Sequence, residues 1–539
     1  GKFPCRNPAQ PDPTCIVTLP VGQPNFSRSN RYHEFAVYFQ DSWRTTRRLT
    51  LNLGMRWEYF GVQHNKNPRL DSNYYDGGGG NIFQQIRNGD VAIVPLSPIK
   101  GLWRKDWNNF APRLGFAWDL FGDGKMSLRG GYGIGYERNF GNVTFNVIQN
   151  PPNYAVIALI AGVDVPSIAI PTDVAGPLAG TTGTKALPPV SLRNVDANIR
   201  TAFAHLWSLT LEREIRRTLV FALEYSGSKG VDLYSLENPN RAGAGNVYLG
   251  DPCQVGNPLS CSSRLRQTQY TFLNRRGNNA FSHHNALNVR VTGNNVGGSG
   301  LTFTANYTWG HTIDNLSSTF SESANNFNLG LLDPFNPRLD RGNSDFDVRH
   351  RFVISGIWDI PFARNTQGVA RRILHGWTIA PIFSTSTGTP FTVFDCTNAF
   401  FEVCPRMFAT GPVPRTGPDN PPADPTTPGT FTYLNLAGRF DSSYVHPITG
   451  TSEFGPYPAS LTARNLFRGP GSWVLDVGLY KTTAITERFS LQFRAELYNA
   501  FNHANAFVLG SEADVSSTET IRTQKDGRRN VQFAVKLIF

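Results

Sequence analysis

The sequence contains no run of about 20 consecutive apolar residues, the length a membrane-spanning helix needs. Its longest apolar-leaning stretch, Tyr154–Ile170, is broken by Gly162, Asp164, Pro166 and Ser167. Apolar stripes at helical spacing are scarce. No cysteine pair has the C-x-x-C form of a zinc or redox site, and zinc-finger, RNP and helix-turn-helix patterns are missing. No signal peptide follows Gly1, so the start reads as internal or processed. Charged residues make up only 17% of the chain. The net charge of +11 comes from short basic turns such as Arg44–Arg48 and Arg213–Thr218, not from one recognition helix. That distribution argues against nucleic acid and suits turns beside lipid headgroups.

What the sequence has in abundance is glycine (51), proline (37), phenylalanine (38) and tyrosine (18), a mixture that favours many strands joined by irregular loops. At 539 residues the chain holds either several soluble domains or one large β architecture, and alternation favours the second. In LTLNLGMRWEYF one face carries Leu49, Leu51, Leu53, Met55, Trp57 and Tyr59, and the other carries Thr50, Asn52, Gly54, Arg56 and Glu58. In RFSLQFRAELYNAFN, Phe489, Leu491, Phe493, Ala495 and Leu497 oppose Ser490, Gln492, Arg494 and Glu496. Period two over this length predicts strands. The pattern recurs thirteen times, over 31–43, 47–61, 110–121, 124–140, 200–214, 217–228, 284–294, 299–313, 346–361, 373–389, 471–482, 486–502 and 527–539.

Connections between these segments alternate short and long. The short ones are 44–46, 122–123, 215–216, 295–298, 363–372 and 483–485; the long ones are 62–109, 141–199, 229–283, 314–345, 390–470 and 503–526. Soluble strands average five or six residues, whereas a tilted strand crossing a bilayer needs about 9–11. Trp and Tyr gather at segment ends (Trp43, Trp57, Tyr59, Trp118, Tyr132, Tyr136, Tyr307, Trp309), and Leu, Val, Phe and Ala fill the middles, as in a lipid-facing wall with aromatic girdles. The expected fold is therefore all-β, a transmembrane antiparallel β-barrel with short periplasmic turns and long extracellular loops. Thirteen is an odd number, and single-chain bacterial barrels have even ones. With the C-terminus in the periplasm, segment 31–43 runs inward, residues 1–30 belong to an extracellular loop, and the chain reads as the C-terminal portion of a larger barrel.

Six cysteines fall in three local pairs, Cys5/Cys15, Cys253/Cys261 and Cys396/Cys404. All lie in loop-like sequence on the expected outer side, which reads as disulfides in an oxidising compartment.

Four stretches carry a family resemblance: Phe35–Gly61, Asn109–Glu137, SDFDVRHRFVISGIWDIPF (Ser344–Phe362) and RFSLQFRAELYNAFNHANAF (Arg488–Phe507). Together they resemble the barrel of TonB-dependent outer-membrane receptors, nearest to the Oar-like group, through the terminal Phe539. The resemblance implies a 22-stranded barrel filled by an N-terminal plug, energised by the TonB complex of the inner membrane, in a Gram-negative bacterium. It implies uptake of a bulky, unidentified solute. Plug, TonB box and about nine N-terminal strands are absent from this sequence, so energy coupling falls on no residue present; the missing strands and plug would come from the same precursor or a separate chain. Terminal residues Phe533, Val535, Leu537 and Phe539 resemble the C-terminal signal read by outer-membrane assembly machinery.

Catalytic constellations are not evident. His283–His284, His311 near Asp314, and Asp347–Arg351 lack the spacing of a triad, and read best as solvated loop residues. His283 and His284 are adjacent and would face opposite ways on a strand. The acidic stretch Asp71–Asp76 lacks the EF-hand pattern, and Gly77–Gly80 precedes no Lys-Ser/Thr, so it reads as a flexible loop and not a phosphate loop. Neither enzyme activity nor a cofactor or metal is expected. The best functional candidates are charges that alternate with lipid-facing residues and so point into the lumen: Arg56, Glu58, Arg129, Glu137, Glu224, Arg494 and Glu496. Specificity is expected in loops 141–199, 229–283 and 390–470. A passive porin-like channel, or a surface binding or adhesion protein working through its loops, are the alternatives to active transport.

Overall fold

The computed structural model describes residues 2–7, 9–19, 27–139, 141, 146–155, 183–241, 243–246, 270–318, 330–363, 365–399, 403–447, 450–453, 455–508 and 513–539. Thirteen strands follow one another in chain order across a single sheet. They are β1 (Glu34–Arg44), β2 (Leu49–Phe60), β3 (Asn109–Asp119), β4 (Met126–Glu137), β5 (Ala202–Arg216), β6 (Leu219–Glu237), β7 (Tyr270–Gly293), β8 (Leu301–Asp314), β9 (His350–Asp359), β10 (Trp377–Ser386), β11 (Ser472–Ala484), β12 (Ser490–Tyr498) and β13 (Asn530–Ile538). Each pairs antiparallel with the next, and β1 and β13 are the two edges.

Residues directly opposite in an antiparallel pair project to the same side, so one face can be followed across the sheet. Val37 lies opposite Trp57, and Trp57 opposite Phe110. On the same face Leu114 meets Tyr132, Tyr132 meets Trp207, Leu209 meets Tyr225, and Tyr225 meets Leu287. The face continues through Leu287 and Trp309, Tyr307 and Phe352, Ile354 and Phe383, Phe383 and Leu475, Leu479 and Ala495, and ends with Ala495 opposite Phe533. Its middle is apolar from edge to edge and open, with Phe39 69% and Phe533 78% exposed, while Asp41, Arg213 and Lys481 lie on the same face towards the short-turn end. A water-soluble protein rarely leaves so large a contiguous apolar surface uncovered. Two aromatic rims bound it: Trp43, Trp118 and Trp358 beside the short turns, and Trp57, Tyr132, Trp207, Trp309 and Trp473 towards the other end.

Short connections lie at one end of the sheet. In the turn after β3 the Asp119 carboxylate accepts from the N–H groups of Gly122 (2.8 Å) and Gly124 (3.1 Å), both at positive φ (82° and 73°), where a side chain would be strained. One expected plain turn, 363–372, instead contains the helix Gly368–Leu374.

The largest departure from expectation is in β6 and β7, which run well past 217–228 and 284–294 into the stretch read as loop. Above Val231 β6 leaves its ladder with β5 and pairs with β7 alone, through register shifts at Gly230/Leu233 and Leu233/Ser235. Alternation fails there because neither face of this extension meets lipid. Loop segments cover it, including Val190–Val195, which adds a short parallel ladder to β7.

The buried apolar clusters lie in the long connections. One gathers Tyr74, Ile86, Val91, Leu192, Tyr270 and Leu273; a second Val94, Leu102, Trp103, Val147, Val195 and Ile199; a third Phe391, Val393, Met407, Leu436, Phe467 and Ile521. Each joins residues from several connections, so the loops form a folded crown on the sheet.

Leu114→Arg, at the middle of the apolar face, is expected to cost about 2–4 kcal/mol of stability in lipid, whereas Arg113→Leu on the opposite face should change it by less than about 1 kcal/mol. Urea unfolding in lipid vesicles measures both, and equal effects would reject the two-faced assignment.

Candidate functional site

The face opposite the apolar one carries every charged residue singled out by alternation, and most of these have partners. Arg56 pairs with Glu58 at 2.8 Å. Glu212 sits between Arg129 (3.9 Å) and Arg290 (3.4 Å). Glu224 accepts hydrogen bonds from Thr210 (3.4 Å) and Asn288 (3.5 Å). Arg494 donates to Gln492 at 2.7 Å and lies 5.5 Å from the centre of the Tyr480 ring, while Glu496 accepts from the hydroxyls of Tyr480 (3.1 Å) and Tyr498 (3.2 Å). Glu137 ends β4, exposed and in no ion pair among the described residues. Register places Arg113, Glu212, Arg290, Arg351, Asp476 and Lys536 on this face too. The alternation that found the others would have found them.

Where this face meets the crown, a cavity of about 210 Å³ is lined by Tyr32, Phe60, Trp103, Asp106, Arg138, Ile199 and Thr201 among others. Arg138 spans its mouth, donating to the Tyr32 hydroxyl (2.5 Å) and to Glu34 (2.8 Å), with its guanidinium 4.5 Å from the Tyr32 ring centre. Asp106 accepts from the Thr201 N–H at 3.0 Å.

Buried asparagines stitch the crown. Asn73 donates to the carbonyls of Leu102 (3.2 Å) and Val195 (2.8 Å) and accepts from the Val195 N–H (2.9 Å); Asn150 donates to Ser72 O (2.9 Å) and accepts from Arg193 N–H (2.8 Å). Irregular backbone cannot satisfy its own polar groups, and an amide side chain supplies donor and acceptor together. The acidic stretch at 71–76 belongs to this stitching: the Asp71 carboxylate accepts from the Asn65 N–H at 2.6 Å, and Asp76 faces Arg275 at 4.0 Å. Gly77–Gly80 is a loop, with Gly78–Gly80 exposed. It leads into the helix Ile82–Asn88, capped reciprocally by Asn81 and Gln84, and a Cβ on Gly77 would fall 2.6 Å from the Asn88 backbone.

Arg275, in the β7 extension above the sheet, contacts Asp76, Asp196 and Glu237. Burial pushes the Glu237 carboxyl up to about 7, against the opposing pull of Arg275 and a 2.7 Å hydrogen bond from Asn279. On the other side of the crown Arg406 pairs with Asp340, Arg464 with Asp314 and Asp345, and Arg468 with Asp347.

Of the histidine and acid clusters expected to be solvated, Asp314 and Asp347 are buried, His283, His284 and His311 are half-buried, and His350 and Arg351 are exposed. Asp347 is fully buried, accepting from Thr312 N–H (2.7 Å), Arg349 (3.0 Å) and Arg468 (2.5 Å). His284 contacts the Thr312 hydroxyl (2.8 Å), His311 the Asn343 side chain (3.1 Å), and His350 the Tyr307 hydroxyl (2.8 Å). Apart from Arg349, the partners in these contacts lie 28 or more residues away in sequence, so no local pattern signals them.

Cys5–Cys15 and Cys396–Cys404 are disulfides, whereas Cys253 and Cys261 lie outside the described residues. Phe533, Val535 and Leu537 stand on the open apolar face of β13, and Phe539 follows it, 92% exposed.

Residues 16–532 match a family described as the outer membrane beta barrel domain. None of the curated proteins compared is a match. Among solved structures the chain is similar to the outer membrane transporter YddB from Escherichia coli (9% identity, TM-score 0.43, 94% of this chain and 54% of that one). It is also similar to the ferripyoverdine receptor of Pseudomonas aeruginosa (9%, 0.41, 94% and 38%) and the siderophore receptor PirA from Acinetobacter baumannii (10%, 0.39, 94% and 45%). The chain spans about half the length of these proteins or less.

Two outcomes are expected in the crown. Asn73→Ala should cost about 2–3 kcal/mol by stranding buried backbone groups, read as lost hydrogen-exchange protection at the Val195 amide; unchanged protection would refute the stitch. Glu237 titrates near 7 when folded against an ordinary 4.5. The folded state therefore holds the extra proton between these values, and stability of the extension falls as pH rises from about 4.5 to about 7. Glu237→Gln should flatten that dependence in hydrogen exchange of 233–237, and a persisting slope would assign it elsewhere.

Proposed function

The chain belongs to the outer membrane β-barrel domain family and resides in the outer membrane, and from that premise we propose that it is the barrel wall of a TonB-dependent transport or receptor protein for a bulky solute. The observation that carries this reading is the two-faced sheet: one face apolar through its middle across all thirteen strands, the other lined with paired charges. A hydrocarbon-facing wall needs the first, and a water-filled or plugged lumen needs the second.

The strands form part of a larger closed barrel, 22-stranded as the sequence resemblance implies. The outer edges of β1 and β13 support this, because unpaired peptide groups in hydrocarbon cost several kcal/mol each, roughly. A plug and further strands complete the wall, and the TonB complex acts through the plug. The crown is extracellular and selects the solute, and Arg56, Glu58, Arg129, Glu137, Glu224, Arg494 and Glu496 line the lumen, pairing across strands or contacting the plug. The segment ending at Phe539 serves as the assembly signal. No role as an enzyme is assigned. A second reading, surface binding or adhesion, draws support from the crown's own buried clusters.

Detergent-extracted protein should migrate faster in electrophoresis before boiling than after, and no heat-dependent shift would sink the barrel. Solute uptake should stop in cells lacking the TonB complex. Undiminished uptake there would favour a passive channel, and binding without any uptake would favour adhesion.

A further inference from the structure

At the crown end of the apolar face, the connection between β2 and β3 folds down over the outside of the wall. It encloses a cleft of about 840 Å³ with Tyr59 and Trp107 in its lining. Trp107 stacks on Tyr59 (ring centres 3.9 Å apart, planes within 10°) and on Trp57 (6.2 Å, 9°), and its carbonyl accepts from the Trp57 indole N–H at 2.8 Å. Three cations, Lys100, Arg104 and Lys105, line the same cleft and are exposed. Lys105 Nζ lies 5.9 Å from the Trp107 ring centre, and Arg104 is steadied by a hydrogen bond to Asn198. No Asp or Glu lines the cleft, and the neighbouring Asp106 turns away to the Thr201 N–H.

Downwards the cleft adjoins the apolar face, since its lining residue Tyr59 stands on that face opposite Phe35, and Trp107 stacks on Trp57 of the same row. An aromatic platform at the rim, cations above it and a greasy wall below match an amphiphile with an anionic head and acyl chains. We infer that this cleft is a binding site for a phosphate-bearing lipid of the surrounding leaflet, its phosphate held by Lys100, Arg104 and Lys105 and its chains lying against the apolar face. The site depends on the membrane placement of the wall but on neither the solute nor the energy source. Charge complementarity favours a phospholipid or phosphorylated glycolipid over a neutral one, and the open route to the apolar face favours a lipid over a soluble phosphate.

The test uses the detergent-extracted full chain, phosphatidic acid as probe, phosphatidylcholine of the same chains as zwitterionic control, and inorganic phosphate as competitor, with bound lipid counted by native mass spectrometry. Basic residues near an anionic lipid surface contribute about fivefold each, so K100Q/R104Q/K105Q should weaken phosphatidic acid binding on the order of a hundredfold. R44Q/R47Q/R48Q, at the opposite rim, should leave it unchanged. Both variants should keep the heat-dependent shift in electrophoresis, which separates loss of the site from loss of the barrel. If the triple variant does not fold, Lys105→Gln alone should give about fivefold. Equal binding of phosphatidylcholine, retention by the folded cation variants, or displacement by inorganic phosphate as effective as by lipid would each overturn the proposal.

Discussion

The cross-strand backbone ladder is the interaction on which the rest depends. In hydrocarbon a peptide group has no partner except another peptide group, so each strand must bond sideways along its whole immersed length. The ladder also fixes which way side chains point, and slipping it by one residue would turn an apolar row to the wrong side. Along the sheet's ladders the register shifts only at Glu214/Arg216, beside a short turn, and above Gly230, where β6 and β7 rise out of the wall. Between these limits the middle of the apolar face passes from Phe39 to Phe533 without a charge.

A wall of this kind has no core of its own, because its apolar side chains are spent on lipid and its other face is polar. The crown has the opposite problem. Its backbone is mostly irregular, with only short ladders such as Ser72–Tyr75 against Asp90–Ile93, so it must hide most peptide groups by other means. It does so with small apolar clusters, asparagine amides and arginine–aspartate pairs. Pairs as deeply placed as Arg406 with Asp340 add little net stability, but losing either partner would leave a buried charge. They fix which loop sits against which.

The two environments meet at the aromatic rim. Tyr59, Trp57 and Trp107 form one continuous stack from strand to loop, with Lys105 over the Trp107 ring and Lys100 and Arg104 lining the same cleft.

The sequence alone determined the wall, because a strand with lipid on one side and water on the other must alternate residue by residue, and this pattern is local. Thirteen segments, the two rows of tryptophan and tyrosine, and the polar-face charges from Arg56 to Glu496 could all be read that way. The ends of β6 and β7 could not, since alternation stops where lipid stops although pairing continues. Only the tertiary structure decided that Asp347 is buried between Thr312 and Arg468, and that Lys100, Arg104 and Lys105 share one cleft with Trp107. Each of these follows from contacts between segments distant in sequence or from loop packing, and no periodicity in the chain encodes which distant residue will supply a donor, an acceptor or a ring.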